Sequence, residues 1–132
     1  MIKSSKFSAI FLILFITACK SSINPDNLYG KWKYIKVVNP NSIPPDSVAS
    51  DDLAAQAPYI QFAKNDSLVI MWGGKVLSRG KFKIDGRNIR YTESLADGKT
   101  REFPFWVSKL TDKEIIFETT TQDKSRVTAV KE

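Results

Sequence analysis

The sequence predicts an all-β fold: an eight-stranded antiparallel up-and-down barrel, with one long loop or short helix after the first strand. From residue 59 onward, runs rich in β-branched and aromatic residues alternate with turn signals such as Gly-Gly and Asp-Gly. These dipeptides favour tight hairpins because the turns need positive φ. The regular spacing of the turns is typical of a β-sandwich or barrel.

The first strand is predicted at Gly30–Val38, and seven more follow up to residue 131. Apolar residues recur at every second position of these runs, which indicates half-buried strands with one face on a core. All later connections resemble hairpins, so the strands should follow one another as a meander and close into a barrel without free edges. Pro104 cannot donate to a ladder, so we expect a bulge or a break in pairing there.

The connection over residues 39–58 is long for so small a domain. Three prolines predict a loop in its first half. Its second half predicts a short helix over 51–57, capped by Ser50, with Asp51 and Asp52 in the first turn, where the helix dipole favours acidic groups. Connections of this length are often lids or binding loops.

The N-terminus has the parts of an export signal. Lys3 and Lys6 give a positive start, and an apolar run follows over residues 7–18. As a helix, a run of that length covers about 18 Å, whereas the core of a bilayer is about 30 Å thick. The run is therefore typical of a secretory signal peptide and too short for a membrane span.

The apolar run ends at Cys19 in the letters ITAC, which resemble the lipobox of bacterial lipoproteins. The resemblance implies a signal peptide over residues 1–18, acylation of Cys19 with palmitate and related chains, and a lipidated tether over 19–28. It also implies a cell-envelope location at the outer membrane, facing the periplasm, because Lys20 is not the aspartate that retains lipoproteins in the inner membrane. The alternative is an ordinary signal peptide followed by a structural cysteine.

The letters GKW at the start of the first strand, with Gly30 and Trp32, resemble the Gly-X-Trp motif of lipocalins. In that family the tryptophan closes the narrow end of the barrel, and a basic residue on or after the last strand packs over it. Arg126 is the matching candidate in this chain. Together with length and strand rhythm, the motif resembles small bacterial lipocalin-like lipoproteins and implies a barrel domain over residues 29–132.

Two functions suit such a barrel. One is the binding of a small hydrophobic or amphipathic molecule inside it, with the 39–58 loop as a lid. The other is a solid-core barrel that acts as a protein–protein interaction module of the envelope, with Trp106 as a candidate contact on the outer face. An eight-stranded barrel can hold one small ligand or be filled by its own side chains. The residues that would line or fill it are Tyr34, Phe62, Trp72, Phe82, Tyr91, Phe103, Phe105 and Phe117.

No pattern in the sequence points to catalysis. The chain has no histidine, which excludes Ser-His-Asp and Cys-His sites and histidine-ligated zinc. Glu93, Glu102 and Glu118 are expected on outward strand positions. We therefore expect no enzyme activity, no cofactor and no metal. The net charge of +6 is mild, so the scattered basic residues are either solvated or face acidic lipid headgroups, and nucleic acid is not an expected partner.

Overall fold

The computed structural model describes residues 22–41, 46–119 and 124–132. The strands are β1 (Gly30–Asn39), β2 (Asp46–Ser47), β3 (Tyr59–Phe62), β4 (Ser67–Trp72), β5 (Lys75–Asp85), β6 (Asn88–Ser94), β7 (Thr100–Leu110), β8 (Glu114–Thr119) and β9 (Arg126–Lys131). They form one antiparallel sheet in which β1 also pairs with β9, so eight strands close into a barrel. The predicted all-β barrel is confirmed.

The eight barrel strands follow one another around the wall in chain order, as an up-and-down meander. The two residues of β2 pair with the end of β1 outside the barrel, with Val38 opposite Ser47. We call the end of the barrel where β1 begins the lower end, and the end where β1 finishes the upper end. The predicted signal peptide over 1–18, the predicted lipidation site Cys19 and part of the long loop lie outside the described residues.

One short helix, α1, spans Ser50–Gln56 between β2 and β3. The sequence predicts this helix and its two first-turn aspartates correctly, but not its cap. Ala49 occupies the cap position without a side-chain hydrogen bond, and the expected cap residue lies inside the helix. Leu53 is buried, and the last helical carbonyl accepts a hydrogen bond from the amide of Gly73 at 2.8 Å. The helix therefore lies beside the β4–β5 turn at the upper end.

The sequence predicts a bulge or a break in pairing at Pro104. On the β6 side neither occurs, because Pro104 lies opposite Arg90 in an unbroken register. The amide of Val107 donates to the carbonyl of Arg87, which lies towards β6. Because amides alternate sides along a strand, the nitrogen of Pro104 faces β8 instead. In the described ladder, pairing with β8 begins only at Phe105. The missing N–H of Pro104 therefore removes no hydrogen bond from the β6–β7 ladder.

β5 and β6 approach each other closely at Gly80, on β5. A Cβ at this position would collide with the backbone carbonyl of Thr92 on β6. Only glycine allows two backbones to approach so closely. Above this point the two strands separate, and this separation shapes the upper end of the barrel.

Candidate functional site

The lower end is closed by the N-terminal segment and by Trp32. Ile23 is 5 % exposed and Leu28 is fully buried, and the amide of Ile23 donates to the carbonyl of Gly86 at 2.9 Å. The indole N–H of Trp32, also fully buried, donates to the carbonyl of Leu28 at 2.8 Å. The described part of the expected tether, residues 22–28, is therefore fixed to the barrel by Ile23 and Leu28, while residues 24–27 are exposed.

The cation over the Trp32 ring is Lys131 and not Arg126. The Nζ of Lys131 lies 4.5 Å from the ring centroid, and the two residues are partners in the β1–β9 ladder. Arg126 instead lies opposite Val38 near the upper end, with its Nε 3.5 Å from the carboxylate of Glu118. The expectation for Arg126 is wrong because β9 runs downward, so its last residue reaches the tryptophan.

Gly30 has two structural reasons to be glycine. Its φ is 127°, a conformation that side chains rarely adopt. A Cβ there would also lie 2.7 Å from the Cε of Lys131. The Gly-X-Trp pattern therefore makes room for the lysine that covers Trp32.

All eight candidate aromatic residues lie on the core side of the wall, where their rings contact one another. Phe62 and Phe82 form one pair, with centroids 5.2 Å apart. The other six form one network, with centroids 5.2 to 6.2 Å apart: Tyr34, Trp72, Tyr91, Phe103, Phe105 and Phe117. Most of these contacts are edge-to-face, the geometry that ring quadrupoles favour. The rings thus pack against each other, and their role in ligand binding stays a prediction.

The surroundings of two tyrosine hydroxyls in this network raise their pKa and so extend the pH range in which they stay neutral. Burial, together with the nearby Tyr91, raises the pKa of Tyr34 far above its usual value. Burial is also the main reason that the pKa of Tyr91 is raised; its hydrogen bond with Ser78 acts in the opposite direction, and the charge of Glu93 adds to the rise. Both groups therefore remain hydrogen-bond donors at neutral pH.

Four residues form a polar cluster on the core side of the wall towards the upper end: Ser78, Tyr91, Glu93 and Arg101. The Oγ of Ser78 lies 2.6 Å from the hydroxyl of Tyr91 and donates to a carboxylate oxygen of Glu93 at 2.5 Å. The guanidinium of Arg101 donates twice to the other oxygen of Glu93, at 3.1 and 2.6 Å. Glu93 is the one buried charged residue of the described chain.

The expectation that Glu93 points outward is wrong. Glu93 follows Ile89 and Tyr91 at two-residue steps along β6, so it shares their inward face. The alternation that identifies the core would therefore have identified this carboxylate. The same alternation places Arg101 two residues before Phe103 and Ser78 four residues before Phe82. The sequence does not show that these three strands bring the side chains together.

A cleft opens in the wall beside the polar cluster. The β5–β6 ladder ends with Gly80 opposite Glu93, whereas β5 continues upward along β4 and β6 continues along β7. The two hairpins therefore diverge. The depression between them, which we call the upper cleft, has a volume of about 420 Å³. It is lined by Val76, Leu77, Leu95 and Ala96 on the apolar side, and by Ser78, Arg79, Glu93 and Ser94 on the polar side.

The apolar rim of the upper cleft is open to solvent. Leu77 is 63 % exposed, Val76 42 % and Leu95 37 %. Leu77 has no partner on β4, because the register shifts there from Ser78 to Val76; such a bulge redirects a side chain. A volume of this size lies within the range of small-molecule sites, about 300–1,000 Å³. The arrangement suits a molecule with an apolar body and one polar group.

Trp106 is 42 % exposed, as the alternation along β7 predicts. It lies between Asn88 and Glu118 of the neighbouring strands, on the face opposite to Phe105. A large exposed ring next to polar groups is a typical contact residue in protein interfaces.

Within the described residues, no group of three or more histidine, cysteine, aspartate or glutamate side chains comes together to hold a metal ion. None of the described helices is long and apolar enough to cross a bilayer. A scan against protein-family models found no match for the chain, and a search of curated proteins found no relative.

Proposed function

We propose that the protein is a lipid-anchored barrel of the cell envelope that binds a small amphipathic molecule in the upper cleft. One observation carries the proposal: the buried carboxylate of Glu93 lies beside an open apolar cleft, in a barrel otherwise filled by aromatic rings. Burying a charge is costly even when it is paired. A few convergent polar groups in an apolar depression are the usual composition of a ligand site.

In this proposal the apolar body of the ligand lies against Leu77 and Leu95, and its polar group bonds to Ser78 and Glu93. The side chain of Arg101 is 63 % exposed, so it has room to move while the ligand's polar group takes its place. The anchor at Cys19 and the outer-membrane location are supported by the lipobox-like end of the signal peptide.

The test is native mass spectrometry of the full chain, solubilised gently from the membranes of cells that express it. The mass of the denatured chain reports cleavage and acylation at Cys19. A further discrete mass, lost on denaturation, is expected for the bound ligand. Leu77→Lys and Leu95→Lys, which place an ammonium group on the apolar rim, should lose this mass, and Trp106→Ala, a change outside the cleft, should retain it. A bare protein mass without uptake of an apolar fluorescent probe would refute the ligand proposal alone.

A second candidate function, an envelope interaction module with a filled core, is favoured by the contacts among the rings and by the exposure of Trp106. It makes the opposite prediction for the same variants. Trp106→Ala should lose a co-purifying envelope protein, and Leu77→Lys should retain it.

A further inference from the structure

The outer face of the β3–β5 wall and its β3–β4 turn carry four cations without an acidic partner among the described residues: Lys64 in the turn, and Arg79, Lys81 and Lys83 on β5. On this face Lys81 lies between Ser67 and Thr92, and Arg79 lies opposite Val69. These neighbours are all neutral. The one described hydrogen bond of the Lys81 ammonium goes to the carbonyl of Asn65, at 3.3 Å.

Two of the four cations line a groove in the same wall. The groove has a volume of about 550 Å³, and its lining includes Gln61, Ser67, Val69, Arg79, Lys81 and Ser94. A guanidinium, an ammonium, two hydroxyls and an amide are the groups that bind phosphate oxygens in proteins. The groove is separate from the ring network of the core, because none of the eight aromatic residues lines it.

The groove lies on the side of the barrel where the described chain begins. The amide of Ile23 is bonded to Gly86, which directly follows β5, the strand that carries three of the cations. Only three residue steps separate Cys19 from Ser22, a reach of at most about 11 Å. An acyl anchor on Cys19 would therefore hold this corner of the barrel close to the membrane surface.

We infer that the groove docks the barrel on the phosphate headgroups of anionic phospholipids. The groove shares Arg79 and Ser94 with the upper cleft, so docking through it brings the rim of the cleft to the membrane surface. The contribution of the anchor at Cys19 rests on the proposed function, whereas the affinity of the groove for headgroups does not. Each basic side chain near an anionic surface strengthens binding about fivefold.

The test measures co-sedimentation of the 20–132 fragment with vesicles. This fragment contains all nine strands, the N-terminal segment over 22–28 and every described buried residue. Because it lacks the proposed acylation site, its binding to vesicles reports the groove alone. One set of vesicles holds equal parts of phosphatidylglycerol and phosphatidylcholine, and the other holds phosphatidylcholine only. Lys81→Gln/Lys83→Gln removes two charges beside and within the groove. Lys75→Gln/Lys124→Gln removes two exposed charges near the upper end and is the matched control.

The expected result is binding to the anionic vesicles only, weakened about 25-fold in Lys81→Gln/Lys83→Gln, from about fivefold per charge, and unchanged in the control. Binding should also weaken with salt, since the Debye length falls from about 10 Å at 0.1 M to about 3 Å at 1 M. Equal losses in the two double variants would show unspecific attraction and overturn the inference. Absence of vesicle binding would overturn it too, even if inorganic phosphate alone binds to the groove. Both results leave the tests of the anchor and of the cleft ligand unaffected.

Discussion

Replacing Trp32 with alanine should cost far more stability than replacing the exposed Trp106. Truncating a buried tryptophan costs about 3–5 kcal/mol, because a cavity remains. The change also leaves the carbonyl of Leu28 without its N–H donor, a loss of about 1–3 kcal/mol for a buried group. The two losses overlap, so we expect a decrease of about 4–6 kcal/mol in the free energy of unfolding, in the lower half of the sum of the two ranges. This is a large part of the roughly 5–15 kcal/mol that a domain has.

Two milder changes separate the contributions at this site. Trp32→Phe retains an apolar ring but removes the N–H, and should cost about 1–3 kcal/mol. Lys131→Met retains most of the alkyl chain but removes the charge over the ring, and should cost about 0.5–2 kcal/mol.

Urea unfolding of the 20–132 fragment, followed by circular dichroism, measures each difference. Trp106→Ala is the control, because it removes the same side chain from a position that is 42 % exposed. Equal losses for Trp32→Ala and Trp106→Ala would refute the view that Trp32 closes the lower end. Wild-type stability for Trp32→Phe would refute the role of the hydrogen bond.

Three further predictions concern the wall and the polar cluster, and the same unfolding assay measures them. Gly80→Ala should cost about 1–3 kcal/mol, because the new Cβ meets the carbonyl of Thr92. An unchanged free energy of unfolding would show that β5 and β6 move apart freely at this point. Because burial raises the pKa of Tyr34 above 10.0, the unfolded chain releases this proton first, so stability should fall as the pH rises past about 10. Tyr34→Phe should make that fall shallower, and an unchanged slope would contradict the effect of burial. Arg101→Ala should cost about 1–3 kcal/mol, and Glu93→Leu added to it should restore part of the loss; a further loss would contradict the view that the buried carboxylate of Glu93 depends on Arg101.

The strand pattern predicts the barrel well because its information is local. Period-two alternation and glycine turns need only neighbouring residues, and the turns form as predicted: φ is 63° at Gly73, 79° at Gly74 and 63° at Gly86. The error at Glu93 has a different origin. The alternation along β6 places it inward, but its charge suggested an outward position, and only the cross-strand partner Arg101 explains why the charge is tolerated.

Features that depend on pairing between distant strands were not predictable. The upper cleft exists because the β5–β6 ladder stops at Gly80, and no local pattern marks where a ladder stops. The cation over Trp32 is a second case. Both Arg126 and Lys131 are basic residues on the last strand, and only the register of β9 against β1 decides between them.

The two proposals together predict how a ligand reaches the upper cleft. Arg79 and Ser94 line both the cleft and the groove, so a barrel docked through the groove holds the cleft at the bilayer surface. The uptake rate of an apolar fluorescent probe should therefore rise when the probe is supplied in anionic vesicles, and Lys81→Gln/Lys83→Gln should abolish this rise. An uptake rate that is the same with and without anionic vesicles would show that the ligand enters from water and that the docked orientation is wrong.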